Sequence, residues 1–281
     1  MSDGDRGNGS DRTTVIDADG LAYRYRDGGV VIDGIDVTVE AGERVAVLGP
    51  NGAGKSTLLL LLGGLLEPDA GTVRYFERDQ PADAVRDRLG VLTQDPGEYL
   101  FNPTVREDIE YGPSQLGVPQ SVADERVAAL ADRFDLSHLL DRPPFRLSGG
   151  EQRRAAIASV LSVDPDVLLL DEPLSNVDGD NEAELLGLLD DLSADGVTVV
   201  TSTPDTDLVP RVADRVLLLG RDGTVVATGS TRAVLTDTEG LRDAGLAPPT
   251  VVDLFDRAGF DDLPLTVPEG VDRIEQGSDG H

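Results

Sequence analysis

The sequence predicts an α/β fold built on a mainly parallel sheet that helices cover on both faces. From about residue 44 to residue 230, β-type runs alternate with helical segments, which is typical of parallel strands joined by crossover helices. The runs at 44–48 and 167–171 are almost continuously apolar, as strands buried on both faces are. The earlier run at 35–39 alternates between apolar and polar residues, which indicates half-buried antiparallel strands.

Composition excludes several classes of function. The 281 residues carry 53 acidic and 24 basic side chains, a formal net charge of −29. Such a chain repels polyanions, so we expect no nucleic-acid partner and no polybasic contact with an anionic bilayer. With no Cys and only two His, the chain offers no thiol nucleophile, no disulfide framework and no His-rich metal centre.

The acidic surplus has a distinctive composition of its own. Asp outnumbers Glu by 38 to 15, and 23 of the 24 basic residues are Arg, which leaves Lys55 as the one lysine. Asp-rich, Lys-poor chains resemble those of extreme halophiles, in which high salt screens the self-repulsion of the surface. We therefore predict a salt-adapted surface, with an acidic protein from an ordinary cytoplasm as the alternative.

The chain ends and the apolar runs predict a cytosolic protein. Residues 1–12 and 268–281 are polar and are predicted to be disordered tails, and residues 231–267 a C-terminal helical extension. The N-terminus lacks the apolar segment of a signal peptide. The longest apolar run, 58–66, is interrupted by two glycines and is far below the ~18 residues that span a bilayer. Any role at a membrane therefore depends on a partner.

Helix signals place the elements between the strands. Residues 56–66 predict one helix, and residues 94–162 predict a largely helical region. Within that region Thr104–Glu107 and Ser148–Glu151 have the capping-box pattern of helix starts, and Ser121 is expected to open a further helix. Strand and helix signals then alternate again up to the C-terminal extension.

A phosphate-binding loop is the clearest chemical signal. Between a predicted strand and a predicted helix, nine residues contain the pattern G-x-x-x-x-G-K-[ST]: Gly49, Pro50, Asn51, Gly52, Ala53, Gly54, Lys55, Ser56 and Thr57. Glycines let backbone N–H groups turn towards phosphate oxygens, and the helix N-terminus adds positive potential. We expect this P-loop to bind ATP, with Lys55 at the β- and γ-phosphates and Ser56 on Mg²⁺. A glycine-rich turn without a ligand would not explain why the one lysine lies here.

An acidic pair forms the second half of the predicted site. The apolar run at 167–170 leads directly into Asp171 and Glu172. Downstream of a P-loop this is the Walker B pattern, in which Asp171 holds Mg²⁺ and Glu172 polarises the attacking water as general base.

The segment Leu147–Gln152, which reads LSGGEQ, decides the family. It resembles the signature motif of ABC-type ATPases, a second anion site at a helix N-terminus. The resemblance implies a P-loop NTPase fold of the ABC ATPase type over residues 13–230. Such a fold has a RecA-like core, an antiparallel β subdomain and an α-helical subdomain, here at about 95–162. It also implies that two subunits close head-to-tail over two ATP, and that the signature of each caps the γ-phosphate held by the other through Ser148, Gly149 and Gly150.

Three further positions match ABC ATPases singly. Gln94 matches the Q-loop glutamine, which contacts Mg²⁺ and the attacking water. Tyr25 matches the aromatic residue that stacks on adenine, with Tyr23 as its competitor. Asp178 matches the D-loop aspartate, although Val177 stands where leucine is usual.

One position departs from the family. ABC ATPases carry a switch histidine after the next strand, and here the string is Ser202-Thr-Pro204-Asp205. Pro204 has no side-chain donor for the γ-phosphate and no backbone N–H. The resemblance implies that such a subunit binds ATP but hydrolyses it slowly at the site built on its own P-loop.

The stretch 99–113, YLFNPTVREDIEYGP, narrows the resemblance to energy-coupling-factor ATPases, the cobalt/nickel and vitamin importer group. Residues 205–216 resemble the same group. Such ATPases dock on a transmembrane coupling subunit, which carries a small substrate-binding membrane subunit. The resemblance implies a peripheral protein on the cytoplasmic face of the membrane, with a groove near 94–101 for the coupling helix and an exposed cluster at 99–101.

Several alternatives remain open at this stage. Cobalt or nickel is the expected substrate, with biotin or another vitamin as the competitor. The second ATPase subunit is either another copy or a different chain. Two other functions compete: a soluble, non-transport ABC ATPase, and a subunit that binds ATP with weak hydrolysis because Pro204 replaces the switch histidine.

Overall fold

The computed structural model describes residues 13–26, 28–175, 177 and 179–278, whose strands form two sheets. The strands are β1 (Thr14–Arg24), β2 (Val30–Glu40), β3 (Arg44–Leu48), β4 (Ala70–Tyr75), β5 (Leu89–Leu92), β6 (Val167–Asp171), β7 (Thr198–Thr203), β8 (Arg215–Leu219) and β9 (Val225–Ser230). The helices are α1 (Lys55–Leu62), α2 (Val105–Gln115), α3 (Gln120–Arg133), α4 (Gly149–Leu161), α5 (Gly179–Ala194), α6 (Val209–Val212), α7 (Thr231–Leu235), α8 (Thr238–Asp243), α9 (Thr250–Arg257) and α10 (Val267–Ser278).

The larger sheet brings the ends of distant chain segments together. Its strand order is β5-β6-β7-β3-β8-β9, parallel throughout except that β9 runs antiparallel to β8. In this register Asp171 pairs with Ser202, and Leu48 pairs with Thr203. Parallel strands end at one edge of the sheet, and α/β proteins bind ligands at that edge.

The core lies on both faces of this sheet. Along β3, Ala46 and Leu48 belong to one buried cluster, which helices α2 to α5 also supply, whereas Val45 and Val47 belong to the other. The second cluster includes α1 and the three-stranded antiparallel sheet β2-β1-β4. The predictions of a doubly buried strand at 44–48 and of antiparallel strands before it are therefore confirmed.

Several element boundaries differ from the sequence-based expectations. Helix α1 ends at Leu62 rather than at residue 66, because Gly63 caps it and Gly64 turns the chain with φ +64°. Helix α3 begins at Gln120, directly after Pro119, so Ser121 does not open it. Helix α2 begins where the sequence predicts, because Thr104 caps its N-terminus and the Thr104 side chain accepts from the backbone N–H of Glu107 at 3.3 Å. Strand β5 was not assigned from the sequence.

The prediction of a disordered tail at 268–281 is wrong for residues 268–278, which belong to α10. This helix packs closely on α9 at Gly270, where a Cβ would lie 3.2 Å from the Val251 side chain and 3.3 Å from that of Phe255. Glu269 ties it to α7 by accepting from Arg232 at 2.7 Å. The prediction rested on the polar composition of this segment and overlooked the apolar residues that recur at helical spacing within 267–274. The predicted tail at 1–12 and residues 279–281 lie outside the described residues.

Candidate functional site

Four strand ends of the larger sheet supply the candidate site. The P-loop follows β3, Gln94 follows β5, Asp171 ends β6, and Pro204 follows β7. A cavity of about 370 Å³ lies at this edge. Its lining joins P-loop residues to both Gln94 and Glu172, and comprises Val31, Asn51, Gly52, Gly54, Lys55, Ser56, Thr57, Gln94 and Glu172.

The P-loop has a backbone shape that only glycine permits at its last turn. Gly54 precedes α1 with φ +92°, and a Cβ there would lie 2.6 Å from the carbonyl oxygen of Val31. No side chain caps the N-terminus of α1, so its first backbone N–H groups remain to bind an anion.

Lys55 is a buried ammonium group that faces oxygen atoms. Only 4 % of the residue is exposed, and its Nζ donates to the carbonyl oxygens of Gly49 at 3.0 Å and Pro50 at 3.3 Å. Its Nζ also lies 3.5 Å from Glu172 Oε1. Burial lowers the pKa of Lys55, and the carboxylates of Glu172 and Asp171 oppose that shift. A phosphate group could therefore take over the role of Glu172 as the partner of this charge.

Glu172 links the P-loop to Gln94. Gln94 Nε2 donates to Glu172 Oε2 at 3.3 Å, while the other oxygen faces Lys55. The backbone of Glu172 lies in the left-handed region at φ +47°. Its N–H donates to two oxygens of Ser202, the backbone carbonyl oxygen at 3.2 Å and Oγ at 3.1 Å. The neighbouring Asp171 is 7 % exposed, and its Oδ1 accepts from Ser202 Oγ at 2.5 Å.

The donor set of the site fits Mg²⁺ that arrives with phosphate oxygens. Asp171, Ser56 and Gln94 offer a carboxylate, a hydroxyl and an amide oxygen, which are the hard ligands Mg²⁺ prefers. Among the described residues there is no group of three or more His, Cys, Asp or Glu side chains able to hold a metal ion. A magnesium ion held by one or two side chains, water and nucleotide phosphates suits such a donor set.

Tyr25 lies beside the P-loop at the mouth of the site. Its hydroxyl is 3.3 Å from Thr57 Oγ1, and its ring meets that of Tyr23 edge-on at 4.9 Å between centroids. Tyr25 is 43 % exposed, whereas Tyr23 is half-buried and packs against the core. Tyr25 therefore offers the more accessible ring surface.

The signature residues form a capped helix start outside the P-loop cavity. Ser148 Oγ accepts from the N–H of Glu151 at 3.3 Å, and Glu151 accepts from the N–H of Ser148 at 2.6 Å. These hydrogen bonds hold the pKa of Glu151 below its usual value. None of Ser148, Gly149 and Gly150 lines the cavity, so the chain does not bring its own signature to its own P-loop. Asp178 lies outside the described residues.

Arg153 contacts the backbone of the site, and the sequence analysis did not identify it. It lies one turn into α4 and is 9 % exposed, and its guanidinium donates to the carbonyl oxygens of Glu172, at 3.1 Å, and Pro173. Burial lowers the pKa of Arg153. The available signal was periodicity: Arg153 shares a helix face with Ile157 and Val160, both buried.

The loop after Gln94 differs in part from its expected exposure. Tyr99 and Leu100 are half-buried against the core, and burial raises the pKa of Tyr99, so the expected exposed cluster is wrong for these two residues. Phe101 is 61 % exposed. Asp108 anchors the loop by accepting from the backbone N–H groups of Phe101 at 3.0 Å and Asn102 at 2.8 Å.

Comparison with known proteins places these motifs in one family. A sequence model of the ABC transporter family matches residues 32–175. The chain belongs to the ABC transporter family. Its ABC ATPase fold of P-loop NTPase type is thereby confirmed, and it is an ATPase. No helix in the described part of this ABC ATPase is long and apolar enough to cross a membrane.

Curated relatives narrow the family to the energy-coupling-factor type. This ABC ATPase is 40 % identical over 265 residues to the energy-coupling factor transporter ATP-binding protein EcfA of Methanothermobacter thermautotrophicus, which covers 91 % of this chain and 85 % of the relative. It is 43 % identical over 248 residues to the cobalt import ATP-binding protein CbiO of Rhodobacter capsulatus, covering 86 % and 88 %.

A solved structure agrees with that assignment. The ABC ATPase resembles cbiO1 from Clostridium perfringens, part of the ABC transporter complex cbiONQ, with a TM-score of 0.72 and 32 % identity. The match covers 87 % of this chain and 99 % of that one. The chain is therefore an ATP-binding protein of the energy-coupling-factor type.

Proposed function

We propose that this subunit binds MgATP at its P-loop cavity and powers an energy-coupling-factor importer by closing against a second ATPase subunit. The contact from Lys55 through Glu172 to Gln94 carries this proposal. It joins the phosphate-binding charge, a candidate base and the loop that leads towards Phe101 within one cavity. Filling the cavity with ATP would therefore act on all three at once.

Each residue at the cavity has a distinct proposed role. Lys55 neutralises the β- and γ-phosphates, and its movement away from Glu172 leaves that carboxylate to accept a proton from water. Gln94 orients this water. Ser56 and Asp171 would hold Mg²⁺ together with Gln94, and the ion would neutralise charge on the phosphates. Tyr25 stacks on adenine, and backbone N–H groups of residues 49–57 cradle the phosphates.

The second ATPase subunit completes the site. At the start of the signature helix α4, a Cβ at Gly149 would meet nothing within 4 Å, whereas one at Gly150 would lie 2.7 Å from the side chain of Asn181. Because the signature lies outside its own P-loop cavity, we assign Ser148, Gly149 and Gly150 to the γ-phosphate of the other subunit. Asp178 of the D-loop is proposed to lie at the same interface.

A membrane subunit is the proposed recipient of this closure. The loop from Gln94 to Phe101 follows the site, and the exposed Phe101 ring packs edge-on against Tyr111 at 4.9 Å. We assign this surface to the coupling helix of a transmembrane subunit that carries a substrate-binding membrane subunit, with the ATPase on the cytoplasmic face. Likeness to a cobalt import protein favours cobalt or nickel over a vitamin as substrate.

Co-purification tests the assembly. The tagged chain would be expressed in a halophilic host, and membranes would be solubilised in molar salt to preserve a protein of net charge −29. We expect a multi-span coupling protein and a second ATPase subunit to co-purify. Recovery of the ATPase without any membrane protein would contradict the importer role and favour a soluble ABC ATPase.

Weak hydrolysis is a second candidate property, and Pro204 supports it. Leu48, the last residue before the P-loop, pairs with Thr203, and Pro204 directly follows Thr203. The switch histidine of the family is expected at this position, which supports the proposal. The one histidine among the described residues, His138, is exposed and lies 3.8 Å from Asp135 in the helical region. A partner ATPase with an intact site would then carry most of the turnover.

A further inference from the structure

Ser202 makes contact with both acidic residues of the site. Ser202 lies beside Asp171 because β6 and β7 pair in parallel register. The residue is fully buried. Its Oγ donates to Asp171 Oδ1 at 2.5 Å and accepts from the backbone N–H of Glu172 at 3.1 Å. A single hydroxyl therefore contacts the metal-binding carboxylate and the backbone of the candidate base.

We propose that Ser202 is a positioning residue that holds Asp171 in the orientation required for Mg²⁺. The inference rests on the proposed MgATP site. The hydroxyl has one proton, and that proton goes to Asp171, so the carboxylate is fixed through Oδ1 and its other oxygen is left to face a metal ion. A hydroxyl bound to an ionised carboxylate is among the stronger neutral–charged hydrogen bonds.

The neighbouring hydroxyls of β7 do not share this role. Thr201 Oγ1 is buried and has no hydrogen-bond partner, although it lies one residue away on the same strand. Thr203 Oγ1 accepts instead from the backbone N–H of Asp205 at 3.0 Å. The contact with the acidic pair is therefore specific to Ser202 and is not a general property of a polar strand end.

The backbone of Glu172 would survive loss of the hydroxyl. Its N–H also donates to the carbonyl oxygen of Ser202 at 3.2 Å, which every substitution at 202 retains. Asp171 is the group that loses a partner in Ser202→Ala. The expected defect is therefore in metal binding rather than in the local fold.

Nucleotide binding with and without Mg²⁺ tests this role. Affinity for a fluorescent ATP analogue would be measured in EDTA and then over a Mg²⁺ titration, in molar KCl, and Mn²⁺ binding followed by electron paramagnetic resonance. We expect Ser202→Ala to match the wild type in EDTA and to need roughly 10- to 100-fold more Mg²⁺. Thr201→Val is the matched control, because it removes a buried hydroxyl without a partner. Ser202→Thr keeps the hydroxyl and should restore the response.

The outcomes separate this role from the proposed function. An unchanged Mg²⁺ response in Ser202→Ala would overturn the role of Ser202 alone. Equal losses in Ser202→Ala and Thr201→Val would assign the effect to strand packing and overturn it as well. A wild type whose nucleotide affinity ignores Mg²⁺ would overturn both this role and the proposed metal site.

Discussion

Glu172 occupies a backbone conformation that few residues other than glycine adopt. At φ +47° such a residue costs about 1–3 kcal/mol unless its surroundings hold it. Here its N–H is held by Ser202 and its carbonyl oxygen by Arg153. Strain of this kind collects at functional sites, and the result is a carboxylate placed between Lys55 and Gln94.

Removal of the Lys55 charge should abolish ATP binding. In Lys55→Ala the described lining of the cavity loses its one cationic side chain, so we expect at least a 100-fold loss of affinity, or ~2.7 kcal/mol. Isothermal titration calorimetry measures it. Arg74→Ala, which removes an equal charge from an exposed pair with Asp17, is the control. Retained binding in Lys55→Ala would refute the assignment of the P-loop.

Pro204→His should raise hydrolysis. A histidine at this position adds a side-chain donor beside the P-loop, and single donors to developing phosphate or oxyanion charge are worth roughly 100-fold in rate. Phosphate release in molar KCl measures it. Pro204→Ala is the control, because it removes the ring and restores the backbone N–H but adds no side-chain donor. If wild type and Pro204→His turn over equally fast, weak hydrolysis is not a property of this subunit.

Asp108 should tolerate an amide but not a methyl group. Its Oδ1 accepts the N–H groups of Phe101 and Asn102, whereas Oδ2 is buried without a partner. Burial raises the pKa of Asp108, so the folded state binds this proton more tightly than the unfolded chain, and the associated stability is lost as pH rises through the folded pKa. We therefore expect Asp108→Asn to be near wild type at pH 7 and relatively less stable near pH 4.

The matching alanine variant defines the scale for Asp108. Asp108→Ala leaves the loop N–H groups without their acceptor and should destabilise the protein by about 2–3 kcal/mol. Urea unfolding at fixed salt measures both variants. Asp108→Asn as unstable as Asp108→Ala would mean that the charge, not the acceptor, holds the loop.

Sequence reasoning found the residues whose chemistry is local. The P-loop, Asp171 and Glu172 were recognisable because strand, turn and helix follow one another within a few residues. Ser202 and Arg153 were not assigned roles, because their contacts depend on strand register and on the packing of α4 against the loop after β6.

At the scale of elements, α4 connects the two proposed anion sites. Its N-terminus carries the signature and the capping box of Ser148 with Glu151, and one turn later Arg153 holds the backbone after β6. The helix therefore links the surface proposed to cap the other subunit's ATP to Glu172, the candidate general base of its own site. A movement of α4 on closure would shift the backbone of Glu172 through Arg153.

Arg153→Met should uncouple binding from hydrolysis. The methionine keeps an apolar stem but leaves the carbonyl oxygens of Glu172 and Pro173 without their donor, so we expect a roughly tenfold slower turnover with ATP affinity little changed. Arg126→Met is the control, since Arg126 also donates to a backbone carbonyl, that of Ser162, away from the site. Equal effects of both changes would indicate a general loss of stability.

The sequence predicts helices and strands best where the local hydrophobic or capping pattern is strong enough to decide the structure without tertiary contacts. The buried strands β3 and β6 and the capped helix α4 carry strong signals. Strand β5 has only four residues and α10 is mostly polar, so tertiary pairing and packing on α9 decide their structure. Helix α3 begins at Gln120 rather than at the predicted Ser121, because Pro119 lies immediately before its first turn.

The whole molecule is dominated by its negative charge. A net charge of −29 makes the compact state repel itself, and the ion pairs of the described surface, such as Arg74 with Asp17, are largely exposed. Exposed pairs contribute little individually, so screening rather than pairing is expected to relieve the repulsion.

Salt should therefore stabilise this protein. We expect Tm to rise steadily between 0.1 M and 2 M KCl, since the screening length falls from about 10 Å at 0.1 M to about 3 Å at 1 M. Differential scanning calorimetry measures the shift. Sucrose at matched osmolality is the control, because it adds preferential exclusion without screening. A Tm that is flat in KCl would contradict a salt-adapted surface.

Lys55 has a practical consequence that reaches beyond catalysis. It is the one lysine in the chain, and it is buried at the start of α1. An endoprotease that cuts only after lysine therefore has a single target bond, Lys55–Ser56, which the folded protein conceals. The appearance of two fragments measures how often the nucleotide site opens, and slower cleavage in ATP would report ligand occupancy without any label.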